Sequence, residues 1–205
     1  MNNDLADRLL RSGGRISYRD QTRLVLHGAL TRLGWRDPPP SAVLDVERWA
    51  ELVAPPPSVA AARALEALST GSPPWLIAHC HRTWAWATAL GAVCETVHDR
   101  DMLFVAALLH DLGLTDAHAP AVGECFAIAS ARAARQVAAT AAMSTERCDR
   151  LAAAIALHLE VRVGQDLGAE AHLLHAGAAC DVLGARARML PSELVRSVLA
   201  EHPRQ

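Results

Sequence analysis

From Pro73 onward, apolar residues recur at three- and four-residue spacing almost without a break, and no stretch keeps the strict alternation of a half-buried strand. Pro73-Pro74 suits a helix start and predicts a helix over Trp75–Val93. Asp99 or Asp101 can cap a second helix that runs to Asp111, with Gly113 as a left-handed terminator. Further helices fit Val122–Ala142, Ser144–Leu159, Leu167–Leu183 and Pro191–Leu199, and Ser144-Thr145-Glu146 supplies a capping oxygen and early acidic charge. The expected fold class is all-α.

Prolines change the pattern upstream. Eight of the eleven fall in the runs Pro38-Pro39-Pro40, Pro55-Pro56-Pro57 and Pro73-Pro74, each of which ends one helix and permits the next. Between them, helices are expected over Asp20–Leu33, Ser41–Val53 and Ser58–Leu68. The first fifteen or so residues carry Gly13-Gly14 and several charges, and read as a mobile tail or loose arm. The chain therefore divides into an N-terminal helical extension with Pro-rich connections (1–72) and a helical domain (73–205).

A length of 205 residues suffices for one well-buried core. Half of the chain is hydrophobic, but no apolar run reaches membrane-spanning length without a charge or histidine, and Met1-Asn2-Asn3-Asp4 has neither the positive nor the apolar region of a secretory signal. A net charge of -2 argues against nucleic-acid binding, and a soluble cytoplasmic protein is expected. All 20 cationic residues are arginine, which excludes Schiff-base chemistry and a phosphate-loop lysine. The 5 cysteines are odd in number, widely spaced and set among apolar residues, with no Cys-x-x-Cys, so neither a disulfide framework nor a thiolate zinc site is expected.

Against this background, Ala106-Ala107-Leu108-Leu109-His110-Asp111-Leu112-Gly113 stands out: an apolar run delivers an adjacent His-Asp pair to its end. Buried imidazole and carboxylate are costly unless they bind an ion or each other. Three other places carry chemistry. His79 and Arg82 share a face of the Trp75–Val93 helix while His81 points elsewhere, His158 ends the run Ala152–Leu157, and Asp181 lies in an apolar small-residue helix. Two imidazoles and two carboxylates suit a borderline-to-hard divalent ion. Arg82 either binds an anionic oxygen of a substrate or pairs with a core carboxylate. His172 and His175 read as surface or pocket residues without a role, and Trp75, Trp84 and Trp86 as core or interface packing.

The ordered set His79…His110-Asp111…Asp181 resembles the signature of the HD-domain superfamily of metal-dependent helical hydrolases. Within it, His79-x-x-Arg82, Leu108-Leu109-His110-Asp111-Leu112-Gly113-Leu114, Ala154-Ile155-Ala156-Leu157-His158, Asp181-Val182-Leu183-Gly184 and His202-Pro203-Arg204 look like the cyanamide-hydratase-like branch. The resemblance covers about Pro73 to Arg204. It implies an HD-like helical bundle in which His79, His110, Asp111 and Asp181 ligate one divalent metal ion (zinc, iron or manganese). His158 would line the pocket as a proton donor or as a group behind a ligand. The branch usually has Phe-Glu-x-x-Gly-Ala after the His-Asp loop, whereas this chain reads Phe126-Ala127-Ile128-Ala129-Ser130-Ala131, without the glutamate.

The function expected from this set is metal-dependent hydrolysis with activated water, on a phosphoester or nucleotide-like substrate, with His158, Arg82 and Asp111 in the chemistry. The alternatives are a hydro-lyase that hydrates a small nitrile-type compound, or a non-catalytic helical binding module. A di-iron oxygenase of the same superfamily needs extra ligand histidines between the His-Asp pair and Asp181, where His158 is the one well-placed candidate. The expected partner is a small-molecule substrate, with no nucleic acid and no membrane. The Pro-rich segment before Pro73 is a candidate lid or homo-oligomer contact.

Overall fold

The computed structural model describes residues 4–14, 44 and 48–204. Among these residues there is no strand, and the fold is all-α. The α-helices are α1 (Asp4–Ser12), α2 (Trp49–Val53), α3 (Val59–Ser69), α4 (Pro74–Val93), α5 (Arg100–Leu109), α6 (Phe126–Thr140), α7 (Thr145–Leu157), α8 (Ala169–Leu183) and α9 (Ser192–Glu201). None is long and apolar enough to cross a membrane. The expected helix over Asp20–Leu33 lies outside the described residues.

Helix α5 is the axis of the bundle. The Asp99 carboxylate accepts the Met102 N–H at its start, and every residue from Met102 to Leu109 is buried. A helix apolar all round must be covered all round. Here α3, α4, α6, α7 and α8 all pack against it. Ala60, Ala61, Ala64 and Leu68 of α3 belong to the same core cluster as Leu103, Phe104 and Leu108. Helix α4 is equally enclosed and runs along α8, while α6 pairs with α7.

Gly177 permits the close approach of α4 and α8. A Cβ there would lie 2.6 Å from the Thr83 carbonyl oxygen and 2.9 Å from the Ala87 Cβ. One turn further along α8 is Asp181, so this contact brings the Asp181 carboxylate against the His79–Trp86 stretch of α4.

Three expectations are corrected. The first fifteen residues are not a loose arm throughout, because Asp4–Ser12 is helical and packs on α7. Ala6 is buried, Leu9 and Leu10 are partly buried against the core, and the Cys125 N–H donates to the Gly13 carbonyl at 2.7 Å. Gly113 does not terminate α5 in the left-handed region; its role is close approach, described below. Helix α6 begins at Phe126 rather than Val122, because Pro120 and Gly123 (φ 81°) keep the preceding segment in turns.

Candidate metal centre

Helix ends and one helix face build the site. His110 follows the last residue of α5 and keeps helical angles, and its Nδ1–H donates to the Ala107 carbonyl at 2.9 Å. His158 stands in the same position after α7 and donates Nδ1–H to the Ile155 carbonyl at 2.6 Å. Each imidazole is thus tied to a carbonyl in the last turn of its own helix, and the Ile155 carbonyl also accepts the His158 backbone N–H at 3.2 Å. His79, on α4, donates Nδ1–H to Asp181 Oδ2 at 2.7 Å. All three rings therefore spend Nδ1 on a fixed oxygen and leave Nε2 facing Asp111, an arrangement that fixes ring orientation in metal-binding histidines.

Asp111 is the common target. His79 Nε2 is 3.3 Å and His110 Nε2 3.4 Å from Asp111 Oδ2, and His158 Nε2 is 3.4 Å from Oδ1. The His79 and His110 Nε2 atoms are 3.2 Å apart, and the His110 and His158 rings meet edge to face at 5.0 Å. One ligand atom each from His79, His110 and Asp111 lies within 4.8 Å of the others, a group that could hold a metal ion. Asp111 Oδ1 is buried and has no hydrogen-bond partner among the described residues. A buried carboxylate oxygen without a donor is costly, and a cation removes that cost. The residues present fit a divalent ion on both counts.

The turn that aims Asp111 is held by Gly113 and Ser130. The Gly113 N–H donates to Ser130 Oγ at 2.8 Å, and that hydroxyl donates to the Phe126 carbonyl at 2.9 Å. A Cβ on Gly113 would sit 2.2 Å from the same carbonyl oxygen, so only glycine lets the turn lie this close to α6. Phe126 also brings its ring to 6.0 Å from that of His158.

Electrostatics separates the histidines. Burial pushes the His110 imidazole down to about 4, with His158 and His79 adding to the effect against the pull of Asp111. Burial works the same way on His79, but hydrogen bonds and attraction from Asp111 and Asp181 outweigh it and raise this imidazole to about 9. The raised value favours a proton on His79, whose Nε2 lies 3.2 Å from His110 Nε2 and 3.3 Å from Asp111 Oδ2. A divalent cation would compete with that proton for the same lone pair. Burial raises Asp111 and Asp181 less than their partners lower them: the imidazoles hold Asp111 down, and His79, Arg82 and Trp86 hold Asp181 down.

Asp181 stands behind His79, on its Nδ1 side, and its donor atoms are not part of the group formed by His79, His110 and Asp111. Both of its oxygens are occupied. Arg82 Nε donates to Oδ1 at 2.7 Å and Nη2 to Oδ2 at 2.9 Å, and the Trp86 indole N–H donates to Oδ1 at 3.1 Å. Arg82 Nη1 donates to the His202 and Pro203 carbonyls at 3.1 and 3.2 Å. Of the two readings of Arg82, the structure shows pairing with a core carboxylate.

Trp86 was not legible as part of this set, although His79, Arg82 and Trp86 follow the i, i+3, i+7 spacing of one helical face. His81 turns away and stacks on His202, with centroids 4.8 Å apart. His172 and His175 donate Nδ1–H to the Val163 and His158 carbonyls at 2.6 and 3.0 Å. No protein-family model and no curated protein matches this chain.

Proposed function

We propose that this chain is a metal-dependent enzyme of the HD superfamily that activates water at the His79–His110–Asp111 centre. One observation carries the reading: the convergence of imidazole Nε2 atoms on Asp111, one of whose oxygens is buried without a donor. A divalent ion in such a ligand set supplies Lewis acidity and lowers the pKa of bound water to near neutrality. His79 and His110 would hold it through Nε2 and Asp111 through its carboxylate. His158, with Nδ1–H committed to the Ile155 carbonyl, presents its Nε2 lone pair beside Asp111 and is placed to accept or return a proton. Asp181 orients His79 and favours its ligating tautomer.

The primary reading is hydrolysis. A specific observation supports the second reading, hydration of a small uncharged nitrile-type compound. Arg82, which on one of its two readings grips an anionic substrate oxygen, commits its donors to Asp181 and two backbone carbonyls. The test is a paired assay of metal-loaded protein on a panel of phosphomonoesters and phosphodiesters beside small nitriles. Turnover of either class, lost in Asp111→Asn and reduced in kcat more than in KM by His158→Gln, supports an enzyme. No turnover of either class with any of manganese, iron or zinc leaves a binding module.

A further inference from the structure

The structure assigns Arg204 a positioning role: with the backbone of His202 and Pro203, it clasps the Arg82–Asp181 pair and thereby sets His79 for metal binding. This inference rests on the reading of His79, His110 and Asp111 as a metal centre. Arg204 Nη2 donates to the Asp181 backbone carbonyl at 2.7 Å and lies 3.5 Å from Asp181 Oδ1. That carbonyl belongs to the last turn of α8, where no helical N–H reaches it, so Arg204 supplies a donor the helix lacks. The same contact anchors the segment whose two preceding carbonyls receive Arg82 Nη1.

The clasp is closed on both members of the pair. Arg204 holds the Asp181 backbone while His202 and Pro203 orient the Arg82 guanidinium, whose other nitrogens grip the Asp181 carboxylate. The carboxylate in turn fixes His79 Nδ1, and through the rigid ring its Nε2. The Arg204 side chain is itself 55% exposed, so its attraction to Asp181 is screened and contributes little to stability. Its effect is directional, on where His79 Nε2 points.

The test compares wild type, Arg204→Gln and Arg204→Lys as full chains. Cobalt(II) affinity and its visible absorption spectrum are measured, zinc affinity follows by competition with a chromophoric chelator, and thermal midpoints are taken in the presence of a chelator. Arg204→Gln is expected to weaken both metals by about tenfold, as for other outer partners of metal ligands. It should also alter the cobalt bands and leave the metal-free midpoint unchanged. Arg204→Lys restores a single donor to the carbonyl and should recover most of the affinity. Equal affinity and identical spectra in wild type and Arg204→Gln overturn the role. So does a loss of affinity matched by a fall in the metal-free midpoint. A wild type that binds neither metal overturns the metal-centre reading itself, an outcome distinct from the first two.

Discussion

Among the described residues, two clusters of polar groups set into the helix packing are built on opposite principles. In one, Asp99, Asp101 and Glu170 knit together the starts of α3, α5, α7 and α8. Asp99 accepts the Met102 N–H and Arg147 Nη2, Asp101 accepts Ser58 Oγ and Arg147 Nη2, and Glu170 accepts the Asp99 N–H and Arg150 Nη2. Every carboxylate oxygen there has a donor, and the one buried orphan is itself a donor, Arg147 Nε. In the other, three imidazoles face one carboxylate that keeps a bare buried oxygen. Filled hydrogen-bonding capacity is the mark of a structural joint, whereas imidazole nitrogens converging on a buried carboxylate with a bare oxygen mark a place for a cation. The difference lies in the partners and not in the count of charges.

The largest expected effect breaks the second cluster. Asp111→Ala should lower metal affinity by about 100-fold or more, since it removes a ligand outright, while Asp101→Ala should leave metal content untouched. Equilibrium dialysis of both variants against zinc separates the two clusters. Next comes Gly113→Ala, which drives a Cβ into the Phe126 carbonyl oxygen and must displace the turn that aims Asp111. A loss of about 3 kcal/mol in urea unfolding of the metal-free protein is expected, with metal affinity falling as well.

In the first cluster, Arg147→Met leaves Asp99 and Asp101 without their shared cation. The pair is about one-third exposed, so the cost should be about 1 kcal/mol, with no change in metal binding. The smallest effect near neutral pH concerns His175, which burial pushes down to about 4 from an ordinary 6.5. Its folded-state value lies below its unfolded one, so its neutral form contributes full stability above pH 6.5, and this contribution falls as acid brings the pH toward 4. His175→Asn keeps an N–H for the His158 carbonyl but does not titrate. Unfolding free energies of metal-free protein between pH 7 and 4 should fall less steeply in this variant than in wild type.

Much of the site was legible because it is written locally. An apolar run ending in His110-Asp111 has few structural explanations, and the i, i+3 spacing of His79 and Arg82 needs only a helix to share a face. The partners were not legible, because they depend on packing. Arg82 meets Asp181 across 99 positions, and Arg204 meets the same residue only after α9 has folded back. Two readings of Arg82 therefore stayed open in the sequence until the fold showed its Nε and Nη2 on Asp181. The helical character of residues 4–12 escaped for a different reason. Its Ala6, Leu9 and Leu10 stripe spans little more than one turn, too short to stand out beside Gly13-Gly14 and the charges around it, and only docking on α7 makes it worth burying. Gly113 was assigned the wrong physical role, since a left-handed end and a close backbone approach leave the same glycine in the sequence.

The central claim is that His79, His110 and Asp111 hold a metal ion, and metal content per chain by mass spectrometry tests it most directly. Wild type and Asp111→Ala would be incubated with manganese, iron and zinc, desalted and measured side by side. One ion per chain in the wild type, lost in the variant, is the result expected. No ion retained by the wild type, or equal retention by both proteins, would contradict the account.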